Sequence, residues 1–135
     1  PMPTIVGAVI AGGRSSRFGS DKALYEVAGK PLIQHAIDAI TPQTDMVVIC
    51  GREYGSYRSI PDFPTSGRGP LGGICAALRL AKEAGAAGVL TVPCDVFPLD
   101  QALARTLFDA SEGLSRAAFV EGQWLVGLWP TKWLA

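Results

Sequence analysis

The chain is poor in the residues that build several common kinds of site. It has one histidine, His35, with no obvious serine, cysteine or second histidine beside it, so a histidine-based nucleophilic pair is not indicated. Its three cysteines, Cys50, Cys75 and Cys94, are odd in number, widely separated and form no C-x-x-C pair. Neither a disulfide framework nor a zinc site is suggested, and each reads as a small buried hydrophobe. Charged residues make up only 18%, and Lys plus Arg balance Asp plus Glu at 12 each, giving a net charge of +0. That balance argues against nucleic acid or an anionic membrane as the main partner. No apolar run reaches the ~18 residues needed to span a bilayer. The N-terminal segment lacks the charged start and cleavage site of a secretory signal, so a cytoplasmic location is expected.

What is present is a core. Hydrophobic residues make up 48% of 135, which excludes disorder and predicts one continuous domain over residues 1–135. Residues 4–10 form a β-rich apolar run, as expected of a strand buried on both faces. A glycine- and serine-rich loop follows from Ala11 to Asp21. Pro31 then opens a helix whose stripe is Leu32, Ile33, Ala36, Ile37 and Ile40. Met46 to Cys50 reads as a second buried strand, and Gly51 to Pro70 as an irregular, turn-rich segment. Leu71, Ile74, Cys75, Leu78 and Ala81 recur at helical spacing, with Gly85 as the stop. Gly88 to Val92 is a third buried strand, and Pro98 to Ala110 a further helix. Residues 117–120 and 124–129 predict two strands joined at Glu121-Gly122. This alternation predicts an α/β fold with a mainly parallel sheet flanked by helices. Right-handed crossovers put the strand C-terminal ends on one edge, where open α/β sheets bind ligands.

The polar residues of interest fall at those ends. In the Ala11–Lys22 loop, Gly12 and Gly13 let backbone approach a ligand, and successive N–H groups in such a turn cradle phosphate oxygens. Arg14, Arg17 and Lys22 add positive charge, opposed locally by Asp21. Arg17 suits bidentate phosphate binding, and Lys22 acts as a mobile point charge. The loop is neither a Walker A sequence nor a G-x-G-x-x-G dinucleotide motif. Its alternative reading is a solvated turn. Asp95, behind Pro93 and Cys94, is a hard oxygen ligand suited to Mg²⁺, or else a cap for the helix at Pro98. Asp62 reads on composition as a turn residue. Gly69 to Gly73 opens the Leu71 helix, either as simple punctuation or as backbone laid against a base or phosphate. Trp124, Trp129 and Trp133 read as core or interface residues.

Taken together, Ile10-Ala11-Gly12-Gly13-x-Ser15-x-Arg17-x-Gly19-x-Asp21-Lys22-Ala23 resembles the signature of molybdenum cofactor guanylyltransferases. Glu26 to Leu32, Gly69-Pro70-Leu71-Gly72-Gly73 and Pro93-Cys94-Asp95 continue the resemblance in the same order. It implies a three-layer, Rossmann-like nucleotide-diphospho-sugar-transferase fold. It also implies transfer of GMP from GTP to the phosphate of Mo-molybdopterin, with release of pyrophosphate. By that resemblance Ile10, Ala11, Gly12, Gly13, Lys22, Asp62, Gly69, Leu71 and Asp95 bind the nucleotide. Arg17, Lys22 and Asp95 carry the chemistry, and Asp95 holds Mg²⁺ as the cofactor. Molybdoenzymes or their chaperones are the further partners it implies.

Two departures stand out. Cys50 occupies a position where the family often has a nucleotide-binding asparagine, and this chain contains no asparagine. A thiol is a weak hydrogen-bond partner there. The sequence is also short at its C-terminal end by the family's pattern, which bears on the surface for the second substrate. Competing readings are a cytidylyl- or sugar-phosphate nucleotidyltransferase of the same fold, and a non-catalytic GTP-binding or partner-docking module. A cytidylyl relative more often shows Ala where Gly12 stands.

Overall fold

The computed structural model describes residues 2–12, 21–63 and 69–134. The elements, in chain order, are β1 (Ile5–Ile10), β2 (Glu26–Val27), β3 (Lys30–Pro31), α1 (Leu32–Ile40), β4 (Met46–Cys50), β5 (Arg58–Ile60), α2 (Pro70–Glu83), β6 (Gly88–Pro93), α3 (Leu103–Ala110), β7 (Ala118–Val120) and β8 (Gln123–Pro130). Six strands form one sheet in the order β5-β4-β1-β6-β8-β7, and β2 and β3 pair as a separate small ribbon. The pairs β4–β5, β1–β4 and β1–β6 are parallel, whereas β8 runs antiparallel to both β6 and β7. The mainly parallel α/β sheet expected from the alternation of elements is what forms.

Period-two alternation divides each central strand between two cores. Ile5 and Val9 of β1, Ile49 of β4, and Leu90 and Val92 of β6 face α1 and α3. Val6, Ala8 and Ile10 of β1, Val48 and Cys50 of β4, and Val89 of β6 face α2. The result is three layers, α1 and α3 below the sheet and α2 above it. Strand β1 is buried at all six positions because helices cover both faces. Helix α1 buries Ile33, Ala36, Ile37 and Ile40 on one stripe. Each large aliphatic side chain of that stripe contributes roughly 1.5–3 kcal/mol through removal from water. Helix α2 ends as expected at Gly85: the Gly85 N–H donates to Lys82 O (3.1 Å) and the Ala86 N–H to Ala81 O (2.9 Å), which closes its last turn.

Three local expectations are corrected. The helix expected from Pro98 begins only at Leu103, because Asp100 starts a turn of its own: its Oδ1 accepts from the Ala102 N–H at 2.7 Å, and its carbonyl from Leu103 N–H at 3.2 Å. The Ala104 N–H of the first turn is then taken by Gln43 Oε1 at 2.7 Å. The segment read as irregular between Gly51 and Pro70 contains β5, whose three residues are too few to show a period. In α2, Leu71 is 59% exposed instead of lying on the core stripe, and the buried positions include Gly72, Gly73, Ala76 and Ala77. Small residues let the backbone of this helix lie close on the sheet, a packing that a search for large apolar residues overlooks.

All three cysteines are free, with Cys50 fully buried and Cys75 and Cys94 partly so. Of the tryptophans, Trp129 is partly buried and donates from Nε1 to Thr91 Oγ1 at 2.9 Å, while Trp124 and Trp133 are 45% and 55% exposed. Among the described residues no helix is long and apolar enough to cross a membrane.

Candidate nucleotide site

Register places four strand ends level with one another. Ile10 of β1 pairs with both Cys50 of β4 and Pro93 of β6, and Cys50 pairs with Ile60 of β5. The residues that follow therefore emerge side by side, and backbone hydrogen bonds continue across them. The Ala11 N–H donates to Cys50 O (2.9 Å), Cys94 N–H to Ile10 O (3.1 Å) and Gly51 N–H to Ile60 O (3.0 Å). The chain leaves β1 toward β4 and comes back to β6 on the other side, so this edge is the point where strand order reverses. That is where open α/β sheets offer a crevice.

Close backbone approach sets the floor of the site. A Cβ on Gly51 would lie 2.5 Å from Gly12 Cα, and Gly51 itself has φ +91. Only glycine satisfies both requirements. On the α2 side, a Cβ on Gly72 would stand 3.0 Å from Asp62 Cβ, and the Phe63 N–H donates to Gly72 O at 3.0 Å. Asp62 is thereby seated against the first turn of α2, where a carboxylate is favoured by the helix dipole. The Gly69–Gly73 run has its physical reason in these contacts: Gly72 makes room for Asp62, and Gly73 for Cys50 and Ile10.

Lys22 is held by its neighbours. Asp21 caps the short 3-10 turn Lys22–Leu24, accepting from the Ala23 N–H at 3.2 Å, and Ala23 is buried in the lower core. The other Asp21 oxygen accepts from Arg52 Nη1 at 2.8 Å, which ties this turn to the loop after β4. Lys22 is exposed at this edge, as is Asp95 two residues beyond β6. The Cys94 thiol registers the cluster. Burial first, and then the charge of Asp95, push it up to about 11, while Arg52 acts in the opposite direction. Cys50 is pushed up to about 12, by burial first and then by the charge of Asp62. Its side chain belongs to the core beneath α2, so the residue standing at the family's asparagine position is a packing residue here.

A cleft of about 660 Å³ opens on the β4–β5 side of this edge, with Gly12, Gly51, Arg52, Tyr57, Ile60 and Asp62 among its walls. Of the residues expected to bind a nucleotide, Gly12 and Asp62 line this cleft. Ile10 is buried and Ala11 partly buried, while Asp95 follows β6 on the other side of β1 and Lys22 is exposed on the turn that Asp21 ties to Arg52. Gly69 and Leu71 sit at the start of α2, with Leu71 exposed. Gly13 and Arg17, with Arg14, lie outside the described residues. The alternative of Asp95 as a helix cap does not hold, because Asp100 and Gln43 cap α3. His35 is a packing residue: its Nε2 contacts the Val27 carbonyl, and its ring lies 4.3 Å from that of Phe97.

Arg52 and Tyr57 were not legible as site residues. Arg52 stands two positions past a buried strand, the same placement that singles out Asp95, and that position was the available signal. Among the described residues no three histidine, cysteine or acidic side chains gather as a metal-binding group.

The MobA-like NTP transferase domain model matches residues 7–135. A molybdenum cofactor guanylyltransferase of Yersinia pestis (strain Pestoides F) is 39% identical over 118 residues, covering 82% of this chain and 59% of that protein. Its counterpart in Yersinia pseudotuberculosis serotype O:1b (strain IP 31758) is 38% identical over the same shares. This chain thus spans about three-fifths of the length of these curated relatives. Among solved structures, molybdopterin-guanine dinucleotide biosynthesis protein A from Archaeoglobus fulgidus superposes with a TM-score of 0.72 at 19% identity, covering 96% of this chain and 68% of that one. The 2-C-methyl-D-erythritol 4-phosphate cytidylyltransferase of Thermus thermophilus superposes with a TM-score of 0.61 at 12% identity, covering 98% and 72%. At those identities the likeness concerns the fold alone. By the match along residues 7–135 and the identity to the curated relatives, the chain belongs to the MobA-like NTP transferase domain family.

Proposed function

We propose that this edge binds GTP and transfers GMP to the phosphate of a molybdopterin, with pyrophosphate leaving. The observation that carries the reading is the gathering of Gly12, Asp62 and Asp95 just past the aligned ends of β1, β5 and β6, with the Lys22 turn tied to the loop after β4 by the Asp21–Arg52 pair. The name of the curated relatives, molybdenum cofactor guanylyltransferase, supports the choice of GTP and of the acceptor.

In the transfer, a phosphate oxygen of the acceptor attacks the α-phosphorus of GTP as the bond from that phosphorus to the bridging oxygen of pyrophosphate breaks. The attacking oxygen is already deprotonated, so the step needs no strong general base, in keeping with a packed His35. Two anions must approach one another, and neutralising that repulsion is the protein's main task. Lys22, on its anchored turn, supplies one positive charge, and Arg17 another. The Gly12–Gly51 floor lets backbone come close to the nucleotide. Asp95 fits Mg²⁺ as a single exposed carboxylate, since that ion keeps several waters and shares its remaining positions with substrate phosphates. When bound, Mg²⁺ would neutralise charge on the triphosphate.

The test is Mg²⁺-dependent binding of GTP, CTP, UTP and ATP to the wild type and to Lys22→Ala, followed by pyrophosphate release in the presence of acceptor. A preference for GTP that weakens in Lys22→Ala is expected. Lack of preference, or equal binding by the variant, would remove the guanylyl assignment. A preference for CTP would point to a cytidylyltransferase, and GTP binding without pyrophosphate release to a binding module.

A further inference from the structure

The cleft wall that the proposed chemistry leaves unused is aromatic and held rigidly. Tyr54 packs against the lower core, and Tyr57 stacks on it with ring centroids 6.0 Å apart and planes 8° from parallel. A single side chain pins both phenols. The Tyr54 hydroxyl donates to Gln34 Oε1 at 3.1 Å, and Gln34 Nε2 lies 3.1 Å from the Tyr57 hydroxyl. Gln34 Nε2 is also 2.9 Å from Asp38 Oδ1, and Asp38 in turn pairs with Lys30 Nζ at 2.6 Å. The Lys30 hydrogen bond, with that from Gln34, holds the Asp38 carboxyl below its ordinary value, so this anchor stays ionised at neutral pH. The chain of contacts fixes the loop after β4 to α1.

Tyr57 nevertheless remains 38% exposed and lines the same cleft as Gly12, Gly51 and Asp62. Solvent-exposed tyrosines are ordinary, but one backed by a second parallel ring, pinned at its hydroxyl and turned to a cleft of about 660 Å³ has the form of a platform. A flat heteroaromatic ring gains from such a platform because its π-face meets a surface that is already oriented before binding. Lys22 stands on the turn that Asp21 ties to Arg52, and Asp95 stands two residues beyond β6, on the opposite side of β1 from β4.

We infer that Tyr57 is the stacking wall for the base of the bound nucleotide, positioned by Tyr54 and Gln34, with the β4–β5 cleft as the base half of the site and the Lys22–Asp95 region as its phosphate half. This rests on the reading of the edge as a nucleotide site. Stacking is tolerant of base identity because every base presents a π-face. Tyr57 therefore sets affinity for the nucleoside portion and leaves the choice between bases to edge contacts.

The experiment compares the wild-type chain with Tyr57→Ala, Tyr57→Phe and Gln34→Ala, each titrated with GTP and with inorganic tripolyphosphate in Mg²⁺. The emission of a 2-aminopurine riboside triphosphate serves as a direct reporter of stacking. Tyr57→Ala is expected to raise the Kd for GTP by about tenfold or more. It should leave tripolyphosphate binding unchanged and relieve the quenching of 2-aminopurine. Tyr57→Phe keeps the ring and should bind within a fewfold of wild type, with Gln34→Ala between the two. Wild-type GTP affinity in Tyr57→Ala, an equal loss for tripolyphosphate, or a loss in Tyr57→Phe as large as in Tyr57→Ala would each overturn the stacking role while leaving the nucleotide site intact. Failure of the wild type to bind any nucleotide would overturn both.

Discussion

Arg52 Nη1 lies 2.8 Å from Asp21 Oδ2, and this pair joins the loop after β4 to the turn that presents Lys22. The two side chains come from positions 31 residues apart and are 25% and 37% exposed. An ion pair so accessible contributes little to global stability, on the order of 1 kcal/mol or less. Its effect is geometric: without Arg52, Asp21 keeps its cap on the turn but loses this link to the loop after β4.

Arg52→Ala should therefore lower the melting temperature by only a few degrees while raising the Kd for GTP about fivefold to tenfold, of the order expected when a charge-assisted hydrogen bond that orients the site is lost. Arg52→Lys should recover part of the binding. Thermal melts run beside GTP titrations decide the matter: a large stability loss with parallel binding loss would mean that the pair is simply structural.

Gly51→Ala should be far more damaging than Gly12→Ala. The first places a Cβ 2.5 Å from Gly12 Cα at a residue with φ +91, while the second brings a Cβ to 3.1 Å from Gly51 Cα. Backbone strain of this kind costs about 1–3 kcal/mol before any displacement of the floor. Urea denaturation should show Gly51→Ala destabilised by ~2 kcal/mol or more, and equal stability for the two variants would contradict the close approach.

Thr91 is fully buried on the α2 face of β6; its Oγ1 accepts from Trp129 Nε1 at 2.9 Å and lies 2.8 Å from Leu125 O. Thr91→Val keeps the shape but leaves an indole N–H and a carbonyl without that partner, at a cost of about 1–3 kcal/mol. Chemical denaturation measures the loss, and a shift in tryptophan emission should accompany it. A neutral substitution would show that water replaces the hydroxyl.

Alkaline pH should weaken the fold through its buried thiols. In the folded chain Cys50 is pushed up to about 12 and Cys94 to about 11, each chiefly by burial. An unfolded thiol titrates near about 8.5. Between these values the unfolded chain has released protons that the folded chain keeps, so stability falls as pH rises. Below about pH 8 the thiols leave stability independent of pH. Urea midpoints at about pH 8 and about pH 10.5, on either side of the unfolded thiol's titration, should fall less in Cys50→Ala than in wild type. Identical falls would exclude the contribution of this thiol.

Much of the architecture was legible because each central element carries its own periodic signal. β1 and β4 are continuous apolar runs, α1 carries a stripe at helical spacing, and glycine stops α2 where the pattern ends. The misses share a cause. The three residues of β5 acquire strand character from pairing with β4, and α3 begins where Asp100 and Gln43 cap it. Gly72 and Gly73 are core because of what lies opposite them. Apart from the Asp100 turn, which is local, these are decided by residues distant in the chain.

The same division holds for the site. Local sequence was enough to determine which strands are buried on both faces, that Gly12 stands just past the first of them, and that Asp95 stands at the end of another, since burial and chain direction follow from short runs of residue type. Only the tertiary structure decided that Asp21 meets Arg52, that Gly12 and Gly51 lie against one another, and that Tyr57 is stacked on Tyr54 and held by Gln34. Those relationships depend on strand order and register, which bring together residues from separate elements. Pairing across a sheet is a property of the assembled fold that no single stretch of chain encodes.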